Sequence, residues 1–341
     1  MKPLKDHIPV GIITGFLGAG KTTLLNNLIR EYPDKRFAII ENEFGEIGID
    51  SELVMNVDKS NIYELANGCI CCSLHDDLAG LVKDLLYAGR PFDYLLIETT
   101  GIADPSSVIQ PFFSDPDILS AFTMDSVICL VDALHFEPSF KQQEEVHRQV
   151  AIADLILLNK AAEANGKSLS DIRKILQSVN PQAEIIQTDH AEIRNHSILD
   201  RQAYRKDRIG SYSLSQHPIS PGQSGYHQVD QAGQWLVQDS RPDHSIASYG
   251  FQFPGNFDLE RFTYWMEYFL YINQANIFRI KGLLSFADNP HKMILQTVRS
   301  SYLLEDWEFW EVGEERINRL IFIGKDIPYS DIREALESLM C

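Results

Sequence analysis

Through its first two hundred residues the chain alternates short runs rich in Ile, Val and Leu with longer segments whose apolar residues recur every three or four positions. This rhythm predicts βαβ units on a parallel sheet. Strands are expected at Val10 to Thr14, Phe37 to Ile40, Tyr94 to Ile97, Val127 to Val131 and Leu155 to Leu158. Their nearly continuous apolar character is what strands covered by helices on both faces require. Leu74, Leu78, Leu81, Val82, Leu85 and Leu86 recur at helical spacing and predict one helix. From about Tyr204 to Ser245 the periodicity stops and Ser, Gln, Gly, Pro and His take over, as in a linker or flexible insertion. Alternation restarts with YGFQF, followed by an aromatic helix candidate from Leu259 to Tyr271 and the runs IFRIKGLLSF, DWEFWEV and RLIFIG. The expected organisation is three segments, 1–203, 204–245 and 246–341, the last a smaller α+β domain.

A length of 341 residues with 44% hydrophobic content is enough for two cores rather than one. Forty-eight acidic against thirty basic side chains give a formal charge of −18, which repels phosphate backbones and anionic membrane surfaces. Nucleic acid and membrane are therefore not expected as partners. No segment approaches an uncharged span of about 20 residues, and the opening residues lack a leader pattern, so a cytoplasmic protein is expected. Three of the five cysteines fall within Cys69-Ile70-Cys71-Cys72, too clustered for a disulfide framework and suited to a reducing compartment.

Gly15-Phe16-Leu17-Gly18-Ala19-Gly20-Lys21-Thr22 fits GxxxxGK[ST] and stands between the strand VGIIT and the helix-forming TTLLNNLIR. The backbone N–H groups of Gly15, Gly18, Ala19 and Gly20, extending to Thr22 and Thr23, are placed to cradle phosphates. Lys21 supplies charge to the β- and γ-phosphate oxygens, and the Thr22 hydroxyl is a Mg²⁺ ligand. Such a site also needs an acid at a neighbouring strand end. Glu98, after Tyr94-Leu-Leu-Ile, fills that role, and Gly101 can bring a backbone N–H against the γ-phosphate. The expected fold class is thus α/β: a P-loop NTPase with a mostly parallel sheet flanked by helices, followed by the α+β domain.

Asn159-Lys160 follows the strand LILL, the usual place for a base-recognition turn in GTPases. A guanine reader normally carries Asp two residues after the Lys; this chain has Ala162 there and Glu163 next, which can substitute after a one-residue shift. Cys69, Cys71 and Cys72 are three soft ligands suited to Zn²⁺ or a related ion, with an open position for exchange. Buried structural thiols are the plainer alternative. Glu41 and Glu43, straight after the strand FAII, can complete either the Mg²⁺ shell or the thiolate site. His75 is an optional ligand or a solvent-facing helix residue, and Cys129 and Cys341 are read as ordinary thiols.

The segments GFLGAGKTT, ENEFGEIGID, NGCICCSL and ETTGIADP and the NK turn, in this order, resemble the CobW-type metallochaperone GTPases. The match runs from Val10 to about Thr188, and YGFQF through RLIFIGKDI is similar to that family's C-terminal domain. The resemblance implies a GTPase whose nucleotide-bound state holds a divalent metal and whose hydrolysis delivers it to a client metalloprotein. The cofactors implied are GTP, Mg²⁺ and Zn²⁺ or Co²⁺. Lys21 and Thr22 carry over as phosphate and Mg²⁺ contacts, Glu98 and Gly101 as the second nucleotide-sensing segment, and Cys69, Cys71 and Cys72 as the metal motif. Glu41 and Glu43 fall in the first switch. Ala162 and His75 depart from the family pattern. A homodimer is left open. Two alternatives stand beside this one: an ATP-using enzyme with a structural zinc site, and a metal-sensing module with negligible hydrolysis.

Overall fold

The computed structural model describes residues 7–41, 62–66, 74–87, 91–164, 166–194, 196–204, 228–229, 235–236 and 246–341. The chain divides into two compact units: Met1–Leu176 with Ala183–Ala203, and Gln177–Gln182 with Tyr204–Cys341.

The first unit runs β1 (Ile8–Gly15), α1 (Lys21–Glu31), β2 (Phe37–Glu41), β3 (Ile62–Ala66), α2 (Leu74–Tyr87) and β4 (Tyr94–Glu98). Three short helices follow, α3 (Pro105–Ile109), α4 (Pro111–Ser114) and α5 (Pro116–Leu119), each opening on a proline whose fixed φ suits a first helical position. Then come β5 (Phe122–Asp132), α6 (Phe136–Gln142), α7 (Glu144–Ile152), β6 (Leu155–Asn159), α8 (Gly166–Val179) and β7 (Glu184–Gln187). The sheet order is β3-β2-β4-β1-β5-β6-β7, and every adjacent pair is parallel. All seven strands therefore end on one edge, where ligands of open α/β sheets bind.

The strands expected from the sequence are all present, each extended by one to several residues. β3 and β7 were not foreseen: in IYELA and EIIQ no more than two apolar residues stand together, too short a run to leave a strand signal. Leu24, Leu25 and Leu28 of α1 pack with Ile13, Ile39, Leu96, Ile128 and Leu157 in one fully buried cluster. At its border the buried Tyr94 hydroxyl donates to Asp125 Oδ2 at 2.6 Å. The other Asp125 oxygen accepts from the Gln202 backbone N–H at 2.5 Å, and the Asp125 carbonyl accepts from Ala203 N at 2.7 Å. The end of the unit is thus fastened to β5. Burial raises the Asp125 carboxyl above its ordinary pKa against the opposing pull of these donors.

The second unit holds a five-stranded antiparallel sheet in the order β10-β14-β11-β12-β13, made of β10 (Ile246–Pro254), β11 (Ile277–Leu284), β12 (His291–Val298), β13 (Ser301–Phe309) and β14 (Ile317–Lys325). A two-stranded hairpin, β8 (Gln228–Val229) with β9 (Trp235–Leu236), precedes it inside the segment read as a linker. Two-residue strands are too short to produce a period. The sheet carries α9 (Leu259–Asn273) and α10 (Tyr329–Ser338). The Asp258 side chain caps α9 by accepting from Arg261 N at 2.9 Å. Phe262, Met266, Phe269 and Leu270 of that helix join Phe257, Phe286, Leu295 and Phe322 in a second core. Phe262 meets Phe257 and Phe286 with ring centroids 5.4 Å apart, within the favourable range for aromatic pairs. Among the described residues no helix is long and apolar enough to cross a membrane.

Tyr94→Phe removes one of the donors to the buried Asp125 carboxylate, and the expected cost is about 1.5–3 kcal/mol of unfolding free energy. Urea denaturation of the whole chain checks it; a change below about 0.5 kcal/mol contradicts the fastening role.

Candidate functional site

β1 delivers the chain to Gly15 (φ 138°), and the loop passes through Gly18 (φ 73°) and the buried Ala19 to Gly20 (φ 106°), which caps α1. Gly20 has to be glycine on two counts. Its φ is left-handed, and a Cβ there would lie 2.6 Å from Asn159 Nδ2. Lys21 is buried and its ammonium donates to the Phe16 carbonyl across the loop at 3.3 Å. Thr23 is exposed on the first turn of α1.

Thr22 Oγ1 donates to Glu98 Oε1 at 3.1 Å, joining the helix start to the end of β4 over a sequence separation of 76 residues. A hydroxyl and a carboxylate converging beside this loop are a hard-oxygen donor set suited to Mg²⁺. Gly101 lies against the phosphate loop: a Cβ there would sit 2.6 Å from the Leu17 backbone nitrogen. Two residues on α7, not foreseen from the sequence, hold this segment. Gln149 Nε2 donates to the Gly101 carbonyl at 3.0 Å and to the Ala103 carbonyl at 3.2 Å, and Arg148 pairs with Asp104 at 3.2 Å. The available signal is Gln149 itself, a polar residue on the stripe of buried Val146 and Val150.

The turn after β6 is assembled around Asn159, which is buried. Its Nδ2 donates to the Ala19 carbonyl at 2.9 Å and its Oδ1 accepts from Ala191 N at 2.9 Å. Lys160 adopts φ 60° and its ammonium pairs with Asp132 Oδ2 at 2.7 Å. Burial favours a raised Asp132 pKa, but hydrogen bonds from Lys160 and His135 outweigh it and hold the carboxyl below its ordinary range. Asn27 of α1 donates to the carbonyls of His190 and Ala191 at 2.9 and 2.8 Å. Both of those residues have φ 50°, a conformation that costs a non-glycine residue roughly 1–2 kcal/mol. Such strain persists where neighbours over-determine it, commonly at functional sites. Asp189 completes the turn by accepting from Ala162 N at 2.8 Å.

Of the other residues singled out, Glu41 is the last residue of β2 and stands in register with Glu98 on β4. Glu43, Cys69, Cys71 and Cys72 lie outside the described residues. The chain leaves β3 at Ala66, on the same sheet edge and three positions before Cys69. Among the described residues no group of three or more His, Cys, Asp or Glu could hold a metal.

Residues 9–187 match the CobW/HypB/UreG nucleotide-binding domain. The chain belongs to the CobW/HypB/UreG family. Residues 246–340 of this family member match the cobalamin synthesis protein cobW C-terminal domain. The chain is 32% identical to the zinc chaperone YjiA of Escherichia coli over 98% of its length and 99% of that protein. It is 28% identical to the zinc chaperone CobW of Pseudomonas aeruginosa over 99% of its length and 93% of that protein. The crystal structure of Zn(II)-bound YjiA GTPase from E. coli superimposes with a TM-score of 0.69 at 27% identity, covering 99% of this chain and all of that one.

Cys129, buried in β5 beside the phosphate loop, is an ordinary core thiol. Burial pushes its pKa up to about 12 against the weaker opposing charge of Lys21. The reactive thiolate is therefore absent at neutral pH. Iodoacetamide at pH 8 is expected to modify the exposed Cys341 and spare Cys129 until the protein is denatured, as read by peptide mass mapping. Equal labelling of the two in the native protein contradicts this.

Proposed function

We propose that this chain is a GTP-hydrolysing metallochaperone that binds a transition metal, zinc foremost and cobalt second, in a nucleotide-dependent way and hands it to a client metalloprotein in the cytoplasm. The observation that carries the reading is the shared sheet edge. The phosphate loop, the Thr22–Glu98 pair and the ends of β2 and β3, which lead into ENEFG and CICC, all lie along it. The names of the relatives, zinc chaperones and a Zn(II)-bound GTPase, support the choice of metal and nucleotide.

In this reading the loop from Gly15 to Thr22 presents backbone N–H groups to the phosphates, and Lys21 adds a positive charge that the Phe16 carbonyl keeps in place. Thr22 and Glu98 are the Mg²⁺-side ligands, together with Glu41 or Glu43. A Mg²⁺ held by these residues would supply positive charge against the negative charge that develops during phosphoryl transfer. Gly101, resting on Leu17 and held by Gln149, is the segment that registers the γ-phosphate. Cys69, Cys71 and Cys72 take the cargo metal as thiolates, so a site tightened by nucleotide contacts raises metal affinity, and hydrolysis lowers it. With a charge of −18, the chain has no nucleic acid or membrane among its partners.

Titrating Co²⁺ or Zn²⁺ into the reduced protein tests this, with no nucleotide, with Mg²⁺-GDP and with Mg²⁺ and a non-hydrolysable GTP analogue. Affinity should rise about 5–150-fold from the diphosphate to the triphosphate state, the range of ordinary coupling energies. Thiolate charge-transfer absorption should vanish on replacing Cys71 and Cys72 by serine. Lys21→Ala should abolish the nucleotide dependence while the protein stays folded. Equal metal affinity in the two nucleotide states defeats the metallochaperone reading.

A further inference from the structure

Guanine differs from adenine at the edge that matters here by carrying two adjacent donors, N1–H and the 2-amino group, where adenine offers an acceptor. A site that selects guanine needs a carboxylate beside the base turn. The position two residues after Lys160 is Ala162, whose side chain accepts nothing. Three other carboxylates lie near the turn. Asp132 is taken up by Lys160 at 2.7 Å, His135 at 3.0 Å and the Leu134 N–H at 2.9 Å. Glu163 is exposed, one position beyond the turn. Asp189 is half-buried, and its Oδ1 sits 2.8 Å from the backbone nitrogen of Ala162.

We propose that Asp189, reaching across from the loop after β7, supplies the guanine-selecting carboxylate that position 162 lacks. The inference rests on the GTP reading above and adds to it a specificity-determining residue. The placement is fixed from several sides. The Ala161 N–H donates to the Thr188 carbonyl at 3.2 Å, and the Thr188 N–H donates to Leu158 at 2.9 Å. Thr188 Oγ1 donates to the Glu192 carbonyl at 2.8 Å, and the Glu192 N–H donates to the Asp189 carbonyl at 3.0 Å. Asn159 and Asn27 hold the next two residues, His190 and Ala191. A carboxylate has about four lone-pair positions, so one bond from Ala162 leaves capacity for two donors from a base.

The test is displacement of a fluorescent mant-GDP probe from the full chain with Mg²⁺ by GDP, ADP and xanthosine diphosphate. It compares the wild type, Asp189→Asn, and Asp189→Asn combined with Ala162→Asp. The asparagine still accepts from the Ala162 N–H, so the turn is retained. Its amide now donates, which opposes guanine and suits the C2 carbonyl of xanthine. Wild type should prefer GDP over ADP. Asp189→Asn should lose about 10- to 100-fold in GDP affinity, gain affinity for xanthosine diphosphate and keep its ADP affinity. Adding Ala162→Asp should recover GDP binding. Unchanged GDP affinity in Asp189→Asn, or a parallel loss of all three nucleotides, overturns the assignment and leaves Asp189 a holder of the turn. Wild type binding ADP as tightly as GDP overturns instead the guanine reading on which the assignment rests.

Discussion

One carboxamide joins the parts of the nucleotide site. Asn159, at the last position of β6, gives an N–H to the phosphate loop at Ala19 and takes one from the loop after β7 at Ala191. A carboxamide carries the donor and the acceptor that both bonds need, whereas an aspartate carboxylate fails on the first and a lysine ammonium on the second. The bond also dictates its neighbour, because the space that a Cβ at position 20 would need is occupied by Asn159 Nδ2. The loop after β1, the turn after β6 and the loop after β7 are therefore held in one geometry.

The all-parallel sheet extends that constraint sideways. Since every strand ends on one edge, residues distant in sequence become neighbours there: Glu41 and Glu98 pair in register, and Thr22 reaches Glu98. In the proposed function a change at the γ-phosphate would be felt first at the end of β4, whose neighbour is the end of β2. Coupling between a nucleotide and a second ligand needs such adjacency together with a segment that has two arrangements.

The motifs and most of the strands were legible because they are local in the chain. GFLGAGKT between a strand and a helix, Glu98 after YLLI and Asn159-Lys160 after LILL each carry their context with them. β3 and β7, whose apolar residues never run beyond two together, and β12, whose HKMILQTV holds a short apolar run among polar residues, left too little signal. Asn27, Gln149 and Asp189 were illegible for another reason. Their importance comes from carbonyls and N–H groups 27 to 164 residues away, which no window along the sequence samples. Asn27 reads as an ordinary polar helix residue and Gln149 as a lapse in an apolar stripe.

Where the backbone is strained separates the two halves of the site. Among the described residues seven non-glycine positions have positive φ, and three of them, Lys160, His190 and Ala191, stand around the turn after β6. Their cost is met by Asn159, Asn27 and the Lys160–Asp132 pair, so that side is built rigid. The γ-phosphate side is built otherwise. Between Gly101 and Asp104 the chain has no strained residue, and its ties to α7 come through the side chains of Gln149 and Arg148. Side-chain ties to a loop can be exchanged at lower cost than ladder hydrogen bonds, because no strand or helix has to break with them. In the proposed function the base is gripped by a preformed turn, and the γ-phosphate is read by a segment held through exchangeable side-chain ties. On that proposal a conformational signal of hydrolysis would leave the site at the end of β4, toward its sheet neighbours β2 and β3.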